Sequence, residues 1–177
     1  MKELLHSLLG TLTGTDPRDI RHALKRDHDE LLELAEALCE GSGGSNRRQR
    51  FDRFRELLRA HSRSEERTVY RALQRTGAEE AKDFANEGEV EHGSVDALLA
   101  KLSRMRDLDS EKAHAHFQVI KEMLEHHIEE EYGEMFGLLS QHFSAEELAQ
   151  LGERFESAKG SLATRHRKPL AREEATA

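Results

Sequence analysis

Two segments of this 177-residue chain carry the same stripe. Phe51, Phe54, Leu58, His61, Glu65, Thr68 and Ala72 are spaced three and four apart, and so are Phe117, Ile120, Leu124, His127, Glu131, Glu134 and Leu138. Such spacing lays side chains along one face of an α-helix, the face a bundle helix turns toward its core. In both segments the middle of that face is broken by His and then Glu. Two further segments carry a partner version with one His each: Leu24, His28, Leu31, Ala35, Leu38 and Gly88, His92, Val95, Leu99, Leu102. Four such stripes call for four long helices that bury them against one another.

The punctuation of the chain agrees. Pro17 and Pro169, the two prolines, stand at the edges, and the sequence between them is rich in Leu, Ala, Glu, Arg and Lys, all strong helix formers. With Asp16 as N-cap, a first helix is expected over about 17–39, ended by the Gly/Ser run of 41–45. A second should run over about 47–74 and close at Gly77. A third follows over about 78–106, where Gly88 and Gly93 suggest close packing. A fourth is capped by Asp109 or Ser110 and reaches about residue 140. Ser144 with Glu147 forms a capping-box pattern that starts a shorter helix ending near Gly160. The expectation is an all-α domain at 16–160, an up-down-up-down four-helix bundle with an additional short C-terminal helix. Residues 1–15 read as an extension or short helix, and 161–177 as a disordered tail.

The His levels also match. Counted from the breaks between helices, His28 lies 13 residues back and His61 16 on, His61 16 back and His92 15 on, His92 15 back and His127 17 on. At 1.5 Å per residue the arms differ by no more than roughly 5 Å, so antiparallel packing brings four imidazoles to one height. Glu65 and Glu131 follow their His by four, on the same helix face. Two ionised carboxylates buried alone would each cost several kcal/mol, and bound cations remove that cost. Four nitrogens and two carboxylates able to bridge suit two Fe ions, oxo- or hydroxo-bridged, with a position left for an exogenous ligand. Mn or Zn would also accept this donor set.

Composition excludes other classes. The net charge of −8, with acidic and basic residues interspersed, offers no basic stripe for a phosphate backbone, so no nucleic acid partner is expected. No apolar run approaches the ~18 residues of a membrane span, and the N-terminal segment lacks a secretory signal's apolar stretch; the expected location is cytoplasmic. Cys39, the lone cysteine, rules out an internal disulfide and a thiolate cage, and reads as a small apolar residue.

"DHDELLEL" at Asp27–Leu34, "HSRSEE" at His61–Glu66, "EHGSVDALL" at Glu91–Leu99 and "HHIEEE" at His126–Glu131 resemble the hemerythrin-like, or HHE cation-binding, domain over about residues 17–140. The resemblance implies a non-haem di-iron centre that binds or reacts with dioxygen, peroxide or nitric oxide. It is nearest to the branch concerned with iron–sulfur-cluster repair and stress response, in which two Glu bridge the irons. Oxygen-carrying members usually bring two His spaced by four from their third helix; here the position four after His92 is Asp96. Redox chemistry or sensing is therefore expected ahead of reversible oxygen carriage or iron handling.

Several readings stay open at this stage. A one-residue rotation of the fourth helix would exchange His127 and Glu131 for His126 and Glu130, and Asp96 is a possible seventh ligand. Glu66, Glu129 and Glu130 read as surface, and Tyr70 and Tyr132 as packing or rim residues. A ferritin-like carboxylate site would use Glu89 with His92 and Glu111 with His114. A metal-free helical interaction module is the remaining alternative.

Overall fold

A computed structural model describes residues 16–40 and 46–166. The expected extension at 1–15, the break at 41–45 and the tail from 167 on lie outside the described residues. Among the described residues the chain is an all-helical bundle of five helices without a strand. Helix α1 is Ile20–Glu40. Helix α2 begins as Arg47–Glu65, passes through a π-helical segment, Glu66–Tyr70, and finishes as Arg71–Thr76. Helix α3 is Glu79–Ser103. Helix α4 runs Glu111–Glu130, π-helical Glu131–Met135 and Phe136–His142, and α5 is Ala145–His166.

The stripes become the core. In α1, Leu24, His28, Leu31, Ala35 and Leu38 are all buried, and in α3 so are Gly88, His92, Val95, Leu99 and Leu102. Phe51, Phe54, Leu58, Phe117, Ile120 and Leu124 fill the bundle ahead of the His level on α2 and α4. Each fully buried side chain of this size contributes roughly 1.5–3 kcal/mol.

Past the two Glu residues the stripe changes phase. Val69, Tyr70 and Leu73 are buried where Thr68 and Ala72 were expected, and Met135, Phe136 and Leu139 are buried beside the expected Leu138 while Glu134 is exposed. The cause is a π-helical segment, starting just after Glu65 in α2 and at Glu131 in α4, which admits one extra residue and rotates what comes after it.

Two caps differ from expectation or refine it. Asp16 closes a turn onto the Arg18 amide (2.9 Å), and the N-cap of α1 is Asp19, whose carboxylate accepts the Arg21 amide at 2.9 Å and holds the Arg21 guanidinium. Between Asp109 and Ser110 the structure chooses Ser110, which accepts from the Ala113 amide. The Ser144/Glu147 capping box forms reciprocally, with Ser144 N–H donating to Glu147 at 2.8 Å.

The C-terminal helix is not short. It continues past Gly160 to His166, buries Leu148, Leu151 and Phe155, and packs on α1 and α2. Gly88 is required by close approach, because a Cβ there would lie 2.4 Å from the Tyr70 hydroxyl; Gly93 faces open space and has no such role.

Candidate metal centre

The four inward histidines meet as two pairs. Nε2 of His28 lies 3.2 Å from Nε2 of His61, joining α1 to α2, and Nε2 of His92 lies 3.1 Å from Nε2 of His127, joining α3 to α4. The carboxylates lie across the pairs. Glu131 is 3.0 Å from His28 and 3.2 Å from His127, and one Glu65 oxygen is 3.6 Å from both His61 and His92. Each carboxylate thus touches one imidazole of each pair, the placement a bridging ligand needs. Both Glu are fully buried, and the four His are 8% exposed or less.

Every Nε2 faces inward because every Nδ1 is tied down behind it. His61 Nδ1 bonds Asp27 (3.3 Å), His92 Nδ1 bonds Glu66 (3.3 Å), His127 Nδ1 bonds Glu91 (2.6 Å) and His28 Nδ1 bonds the Tyr132 hydroxyl (3.0 Å). An ionised carboxylate only accepts, so Nδ1 of the first three is the donor and a neutral ring presents its Nε2 lone pair inward. Helix α5 adds two contacts on one side: Phe155 packs edge-on against His61 at 5.7 Å, and Lys159 donates to Asp27 at 2.6 Å.

All four oxygens of Glu65 and Glu131 are buried without an aligned hydrogen-bond donor. Leaving such groups unmatched is costly, and the polypeptide meets part of the charge with protons. Burial and the neighbouring Glu131 push the Glu65 carboxyl well above the usual range. Against its own burial, Glu131 is held well below that range by His127 and His28. Burial would lower His127, but Glu131 and Glu91 push it up to about 10. Burial wins at His28 and His92, which are lowered. With those protons displaced, two facing pairs of imidazole lone pairs and the four carboxylate oxygens fit cations placed between them. The residue groups His28, His61, Glu131 and Glu65, His92, His127 each have ligand atoms within 4.8 Å of one another.

The structure therefore brings together all six residues expected from sequence and leaves the competitors outside. His126 is exposed and paired with Glu130 at 3.3 Å, so the rotated reading of α4 fails. Asp96 is occupied by Arg59 (3.0 Å) and Arg63 (3.2 Å). Glu89, Glu111 and His114 are exposed, so the ferritin-like set is not assembled. One surface assignment is corrected: Glu66 is half-buried behind His92. Tyr132 packs in the core as expected, and its hydroxyl is bonded to His28. Glu66 and Tyr132 sit one residue past Glu65 and Glu131, within the π-helical segments, and the α-helical stripe gave no sign of that turn. Asp27 and Glu91 were missed although the sequence signals them, each being an acidic residue immediately before a core His.

A cavity of about 130 Å³ adjoins the site, lined by Leu58, Val95, Met123 and Leu124 together with His61, His92, His126 and His127. Tyr70 stacks on the far face of His92, with ring centroids 5.6 Å apart.

Fold and site together define a helical bundle built around a buried His/carboxylate cluster suited to cations. The family model for the hemerythrin HHE cation-binding domain matches residues 19–139, and the chain belongs to that family. The match ends before α5 begins at Ala145. No curated protein and no solved structure matches the chain. Among the described residues, no helix is long and apolar enough to cross a membrane.

Proposed function

We propose that His28, His61, Glu65, His92, His127 and Glu131 hold two iron ions, within a four-helix bundle of up-down-up-down connectivity to which α5 is added. The protein then binds or reacts with a small oxidant, whether dioxygen, peroxide or nitric oxide, in a cytoplasmic stress-response, sensing or redox role. The observation that carries the reading is the orphaned set of Glu65 and Glu131 oxygens, each carboxylate lying across both imidazole pairs. Imidazole and carboxylate donors also suit Mn or Zn, which makes iron a choice supported by the family rather than by the donors.

Bound there, iron would supply redox chemistry and polarise a ligand in an open position. The chain's own residues do the rest. Asp27, Glu66, Glu91 and Tyr132 fix the four rings. Leu58, Val95, Met123 and Leu124 keep the approach apolar, and the ~130 Å³ beside His61 and His92 suits a diatomic or peroxide-sized molecule rather than an organic substrate. Asp96, tied by Arg59 and Arg63, supplies no further donor, so four His serve two metals. That leaves more exchangeable positions than a reversible carrier uses. The test is stopped-flow absorbance of the reduced, iron-loaded protein mixed with oxygen and then deoxygenated. Oxidation that does not reverse is expected; a spectrum that returns to the reduced form would establish the carrier instead.

A further inference from the structure

The site has a two-fold pattern with one break in it. Relating α1 to α3 and α2 to α4 carries Asp27 onto Glu91, His28 onto His92, His61 onto His127 and Glu65 onto Glu131. It also carries the Asp27–His61 bond onto Glu91–His127. The bond from Glu66 to His92 is carried onto the bond from Tyr132 to His28, and there the chemistry changes from a carboxylate to a phenol. Helix α5, which lies beyond the family match, enlarges the break. Its Lys159 sits 2.6 Å from Asp27 on the His28–His61 side.

The consequence is a difference in donor strength. A carboxylate that accepts the Nδ1 proton pushes electron density onto Nε2 and makes a better metal ligand, and a neutral phenol does so less. Behind His92 and His127 stand two carboxylates, Glu66 and Glu91, of which only Glu66 carries a cation, the half-exposed Arg63. Behind His28 and His61 stand one phenol and one carboxylate, and the mostly buried Lys159 draws on that carboxylate. One position is backed by two carboxylates bonded to its rings, and the other by one carboxylate and a phenol, with Lys159 shared between Asp27 and Glu156.

Resting on the two-metal reading, we propose that the two positions are unequal. The His92–His127 position fills first and holds its metal more tightly, and the His28–His61 position fills second and is the one that exchanges. Since losing one such supporting partner typically costs roughly 10–100-fold in affinity, the two steps should differ by about tenfold or more.

The experiment is an anaerobic calorimetric titration of the metal-free full chain with Fe(II), repeated with Co(II) as a coloured probe. Two resolved steps are expected. His92→Ala should remove the tighter step and His28→Ala the weaker one. Glu66→Gln, at a half-buried position where folding is not at stake, should weaken the tighter step by about tenfold and narrow the gap. Lys159→Met should strengthen the weaker step. Two indistinguishable steps in the unaltered protein, or loss of the tighter step in His28→Ala, would overturn the proposal while leaving the two-metal reading intact. A protein that takes up no metal would overturn both.

Discussion

The helix pair α1–α2 and the helix pair α3–α4 each present three inward groups, two His and one Glu, yet they are supported differently. The second pair holds its imidazoles with carboxylates of its own and of α2. The first has one carboxylate of its own, Asp27, and relies besides on a tyrosine from α4 and on a fifth helix that packs against α1 and α2. The inward donors are the same in kind and number. The difference lies in what stands behind them, so it concerns how strongly each half binds rather than what it binds.

The strongest way to break the comparison is to remove the prop that only one half has. Phe155 is fully buried against His61, so Phe155→Ala should cost roughly 3–5 kcal/mol in urea unfolding. A loss under about 1 kcal/mol would mean that α5 is an accessory and the two halves are equally self-sufficient.

Metal removal comes next. With free metal at a hundredfold its Kd, each bound ion contributes about 2.7 kcal/mol, so chelation should lower Tm by roughly 5–10 °C per ion removed. Glu65→Ala and Glu131→Ala, one carboxylate from each half, should both abolish most of that response. If only one does, the carboxylates do not bridge.

Sharpening the comparison needs the pair that breaks the symmetry. Glu66→Ala should weaken metal binding by roughly 10–100-fold, and Tyr132→Phe, which removes a neutral partner, by less than about tenfold. Equal effects in a competition assay against a colorimetric chelator would contradict the asymmetry.

A smaller effect concerns how α5 begins. The Ser144 amide and hydroxyl hold the Glu147 carboxyl below its ordinary value of 4.5. Because the folded value is the lower one, this cap supports the fold above pH 4.5 and its help fades as pH falls through the folded value. Replacing Ser144 by Ala should therefore reduce stability slightly at neutral pH and lessen the acid sensitivity of α5, read by thermal melts across pH 3–7.

Much of this was legible in the sequence. The 3,4 spacing selected His28, His61, Glu65, His92, His127 and Glu131, and in register with Phe117, Ile120 and Leu124 it is His127 that is buried and His126 that is exposed. That reading worked because up to each Glu the helices are regular, so the phase carried. It failed directly afterwards, at Thr68 and Glu134, because a π-helical turn adds a residue without an unusual residue type to announce it. The apolar run Val69, Tyr70, Leu73, offset by one from the stripe, was the available signal. The part played by α5 was hidden for another reason. Lys159 and Phe155 act on a site more than ninety residues away in sequence, and nothing in a capping box says where the helix it starts will dock.

The central claim is that these six side chains hold two metal ions, and elemental analysis of the full chain loaded with iron tests it most directly. About two iron atoms per chain are expected, falling to fewer than one in Glu65→Ala and in Glu131→Ala. A folded protein that carries no metal, or one whose metal content ignores both substitutions, would contradict it.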